Sequence, residues 1–64
     1  MPDYDEIAYE GGWMKTPPYG PRPSAWWREA TPDDGERAER CYFGGPPVVW
    51  ADTAAEACEM DGLI

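Results

Sequence analysis

Catalysis and metal binding need particular side chains at particular spacings, and this chain offers few. It contains no histidine, so the commonest general base and the commonest zinc ligand are both missing. The cysteines, Cys41 and Cys58, cannot close a structural zinc site without carboxylates or a second chain to complete it. Asp33 and Asp34 form an adjacent carboxylate pair suited in principle to acid and base work, but a chain this short rarely encloses a pocket that excludes water. The acids of "DYDEIAYE" and "DDGE" lack the ligand spacing of a calcium loop, and the Gly11-Gly12 and Gly44-Gly45 pairs do not open helices as a phosphate loop would. The expectation is a protein that is not an enzyme and has no cofactor and no metal.

What the chain does offer is recognition chemistry. The stretch "KTPPYGPRPSAWWR" holds Tyr19, Trp26, Trp27 and Arg28, with Trp13 just before it. Trp, Tyr and Arg dominate interface hot spots, and the chain contains four of each. Trp13, Tyr19, Trp26, Trp27 and Arg28 are therefore the candidate partner-binding residues. Trp27 is expected to face outward and Trp26 to fold back on Pro21 and Pro23. Lys15, Pro18 and Pro21 also match the +xxPxxP spacing of a polyproline ligand, a short pattern that any proline-rich run produces.

Charge indicates what such a surface would meet. Residues 1 to 14 carry -4, residues 15 to 30 carry +2 and residues 31 to 64 carry -6, giving -8 in all. Binding phosphates needs basic density, and five bases face thirteen acids, so direct nucleic-acid binding is not expected. Acidic patches instead suit a larger protein partner with a basic surface, and they speed encounter with one. The plainer account is that the acid keeps a Trp-rich protein in solution. DNA mimicry would need denser acid than two separated clusters.

No window approaches the ~20 apolar residues of a membrane helix, and "MPDYDEIAYE" is acidic where a secretion signal is basic and then apolar. No membrane association and a cytoplasmic location are expected, with Cys41 and Cys58 reduced and buried. A disulfide between them is the alternative, worth roughly 3 kcal/mol for a loop of that size. A single Lys and no Asn or Gln, alongside abundant Ala, Gly, Pro, Asp, Glu, Arg and Trp, fit a GC-rich coding sequence such as that of an actinobacterium or one of its phages.

These side chains must be positioned by a small scaffold. Sixty-four residues make one domain, 1-64, of a size that buries only about 60% of its unfolded surface. A strand is expected at about 4 to 10, with Ile7 and Tyr9 inward, turning at Gly11-Gly12 into a short strand at about 13 to 16. The proline-rich segment 15-23 admits neither helix nor central strand, so it reads as an internal loop whose Pro17, Pro18, Pro21 and Pro23 stack on Trp13, Trp26 and Trp27. "SAWWREA" reads as a strand. "TPDDGERAERCYF" reads either as a helix capped by Thr31 or, preferably, as a turn followed by a strand through Cys41, Tyr42 and Phe43. Thr53, with Glu56 three residues on and Gly62 as a stop, predicts a helix at about 53 to 61 that buries Ala54, Ala57 and Cys58.

The fold expected is α+β: a small antiparallel sheet of three to four short strands, one C-terminal helix and a proline-rich loop. The function expected is a small acidic protein-binding module, phage-encoded, that modulates or inhibits a larger host protein as a monomer or homodimer. The alternative is a structural accessory such as a virion decoration or assembly factor.

Overall fold

A computed structural model describes residues 2-40 and 44-64. The chain forms α1 (Tyr4–Glu10), β1 (Met14–Lys15), β2 (Trp26–Glu29), a 3-10 segment (Pro32–Arg37), β3 (Val48–Ala51) and α2 (Ala54–Met60). The three strands make one antiparallel sheet in the order β1-β2-β3. Among the described residues the fold is therefore α+β with two α-helices.

The first helix corrects the strand expected at 4 to 10. Asp3 caps it, its carboxylate accepting the Glu6 N–H at 3.2 Å, and Asp5 and Glu6 lie in the first turn where the helix dipole favours negative charge. Burial follows the helical period: Ala8 is fully buried, Tyr4 and Ile7 pack beside it, and Tyr9 is half exposed. Gly11-Gly12 ends this helix and does not turn a hairpin. Gly12 takes φ 97°, its N–H reaches the Tyr9 carbonyl and the Trp13 N–H reaches that of Ala8, which together make a Schellman motif. The second helix stops the same way, with Gly62 at φ 66°, Gly62 N–H on Glu59 and Leu63 N–H on Cys58.

At its start, α2 has Thr53 Oγ1 accepting from the Glu56 N–H, while Glu56 accepts from the Asp52 N–H. Ala54, Ala57 and Cys58 are buried as their spacing requires. Both helices cover one face of the sheet, and the core between them consists of Ala8, Trp13, Trp26, Val49, Ala51, Ala54, Ala57 and Cys58. Cys58 is a free, buried thiol that donates to the Tyr4 carbonyl at 3.6 Å. Loss of solvent, and then the nearby Asp61 charge, push its pKa up. Cys41, and the strand expected through Cys41, Tyr42 and Phe43, lie outside the described residues.

Residues 32-37 form 3-10 turns, because Pro32 opens a helical turn and Gly35, at φ 55° and ψ -120°, breaks it. Glu39 then pairs with Val48 beyond the end of that segment. Pro17, Pro18, Pro21 and Pro23 are exposed and outside the core, so they do not stack into it. The core already has eight members, seven from α1, α2 and the inner sheet face and Trp13 from the α1–β1 connection. The loop is pinched instead by the Tyr19–Arg22 bridge.

Candidate functional site

In a strand, neighbouring side chains point to opposite faces, and residues paired across strands share one. The register pairs Trp26 with Ala51 and with Lys15, and Arg28 with Val49. These residues look toward the helices. The same register pairs Trp27 with Met14 on one side and with Trp50 on the other, and Glu29 with Val48. They share the face that neither helix covers. The adjacent tryptophans thus divide: Trp26 is 2% exposed and meets Tyr9 edge-on at 4.9 Å, whereas Trp27 is half-buried and stands outside the core.

Arg28 has a structural position. Its Nε donates to Asp61 Oδ2 at 2.8 Å and its Nη2 to Asp61 Oδ1 at 2.7 Å. Nη1 and Nη2 also donate to Asp34 at 2.9 and 2.8 Å, and Nη1 reaches the Glu29 carbonyl at 3.0 Å. Five N–H groups meet five acceptors, so the guanidinium is saturated. It lies 5.1 Å over the Trp13 ring, whose Nε1 donates to the same Asp61 at 2.8 Å. Asp34 is buried and also accepts from the Thr31 N–H and from Arg37 Nη2. The Arg28 bonds, followed by that of the Thr31 backbone, hold its carboxyl well below the usual range, while Asp34 and then Asp61 raise the Arg28 pKa.

The expected site residues are therefore separated. Trp13 is fully buried, Trp26 nearly so, and Arg28 is spent on two internal carboxylates. Each of the three completes the core or its ionic seam. Tyr19, 84% exposed at the tip of the proline loop, and Trp27 remain on the surface. Sequence reasoning missed Met14 and Trp50. The signal was present in the period-2 patterns of "WMK" and "VVW", but it needed the register to align Met14, Trp27 and Trp50 in one row.

At the Trp50 end of this row lies a cleft of about 740 Å³, lined by Arg22, Ala25, Glu39, Arg40, Trp50, Ala51 and Asp52. It brings together two guanidiniums, two carboxylates and an indole, without a hydroxyl, thiol or imidazole among its described lining. No cluster of metal-ligating side chains occurs among the described residues. None of their helices is long and apolar enough to cross a membrane. No family model matches the chain, and no curated protein or solved structure is significantly similar to it.

Proposed function

We propose that this chain is a small acidic binding module that attaches to a larger protein through the sheet face opposite its two helices and so modulates that protein. The observation that carries this reading is the row Met14, Trp27 and Trp50, which lies across all three strands on the side away from both helices. Aromatic residues at the centre of a patch with a charged rim are the usual anatomy of an interface. The net charge of -8 selects a basic partner surface over nucleic acid and over a second copy of the same chain. Catalysis forms no part of the reading, because among the described residues the cleft beside Trp50 pairs no nucleophile with a base.

The test begins with immobilised protein and a parallel column of the W27S/W50S variant. A protein retained only by the former is purified and titrated calorimetrically against both. A stoichiometric complex that weakens at least about 30-fold in the variant supports the reading. A partner bound equally well by both columns refutes the assigned face.

A further inference from the structure

Resting on that reading, we infer that the sheet face carrying Trp27 and Trp50 recognises arginine side chains of its partner. Trp27 and Trp50 are directly opposed on adjacent strands and both half-buried, which places two indoles on one face of the sheet. Planar guanidinium groups stack on indole faces better than ammonium does, and they are more weakly hydrated. Three exposed carboxylates border these two indoles. Glu29 shares the face of Trp27, and Glu39 and Asp52 line the cleft beside Trp50. No ion pair among the described residues engages any of them. A stacking surface with unspent carboxylates at its edge fits a cation with a flat, apolar body.

Arg22 and Arg40 line the same cleft and repel a cation there. The two arginines therefore limit affinity.

The probes are acetylated (Arg-Gly)4, (Lys-Gly)4 and (Glu-Gly)4 peptides, titrated in about 0.1 M salt so that long-range attraction is largely screened. The four indole N–H signals are followed by NMR. The arginine peptide is expected to move the Trp27 and Trp50 signals and leave those of Trp13 and Trp26, with the lysine peptide weaker and the glutamate peptide silent. E29Q/E39Q/D52N should weaken arginine-peptide binding about tenfold, while D33N/E36Q/E59Q, which removes the same charge elsewhere, should change it less than about twofold. R22Q/R40Q should tighten it.

Equal effects of the two triple variants, shifts spread over all four indoles, equal affinity for the lysine peptide, or no binding would each overturn the inference. So would self-association abolished by W27S, which would give the face to a second copy. If a protein partner requires Trp27 and Trp50 but the arginine peptide does not bind, the binding module stands and its arginine specificity falls.

Discussion

Arg28 holds both carboxylate oxygens of Asp61, at 2.8 and 2.7 Å, across 33 residues of sequence. Each group lies beside the indole of Trp13, so the sheet, the end of α2 and the α1–β1 connection are locked at one point. A lysine keeps the charge but cannot hold two carboxylates in a planar fork. R28K should lower the unfolding free energy by roughly 2 kcal/mol or more, as one-sided damage to a hydrogen-bonded charge pair does. Urea denaturation checks this, and a loss under about 0.5 kcal/mol would show that the seam is ornamental.

The same seam predicts an acid-labile fold. Asp34 has a folded-state pKa below its unfolded value, so the native state takes up a proton less readily than the unfolded chain. Its contribution is complete above the unfolded carboxylate value of about 3.9 and is lost as pH falls from there toward the lower folded value. Stability measured from pH 7 down to about 2.5 should decline below about pH 4. D34N should make that limb shallower. An unchanged slope in D34N would remove Asp34 as its cause.

Trp26 and Trp27 should separate stability from recognition. W26A opens a cavity among Tyr9, Ala51 and the helices and should cost about 3–5 kcal/mol, close to the whole stability of so small a domain. W27S touches a surface that the core does not use and should leave most of the melting temperature intact. Thermal melts of the two decide the matter, and equal losses would mean that the outer face is scaffold.

Gly12 and Gly62 hold the left-handed positions of the two Schellman motifs, at φ 97° and 66°, with open space where a Cβ would stand. Alanine there meets no neighbour, so its cost is backbone strain alone, about 1 kcal/mol at each site. The sites are distinct helix ends, and G12A/G62A should approach the sum of the singles in urea titrations.

These two glycines also show where sequence reading worked and where it failed. Thr53, Glu56 and Gly62 were sufficient to place α2, because caps and stops act within a few residues. Asp3, Glu6 and Gly12 carry the same code for α1, but the β-prone aromatics and the Gly-Gly pair imitate a hairpin at that length. Helix and strand periods cannot be separated over seven residues when Ala8, the residue that decides the buried face, is small. The strand containing Trp26 and Trp27 was legible, and so was their division between faces. Which carboxylates Arg28 meets was not, since Asp34 and Asp61 lie 6 and 33 residues away and nothing local ties either to it. The prolines misled for a physical reason: stiffness lowers the entropy of the unfolded chain wherever the rings lie, so four of them in one loop need no core contact.

The position of Asp61 also matters while the chain is being made. Synthesis adds roughly 5–20 residues per second, and Trp13 and Arg28 emerge well before the carboxylate they share. Until residue 61 clears the ribosome, α2 has no completed end, the Trp13 indole N–H has no acceptor and Arg28 can reach only Asp34. Native structure is thus gated by the last turn of α2 and closes after translation has passed it. A nascent chain stalled with Asp61 still inside the exit tunnel should remain as protease-sensitive as the unfolded protein. Extending the stalled chain with a linker that carries Asp61 out of the tunnel should make it resistant in a single step.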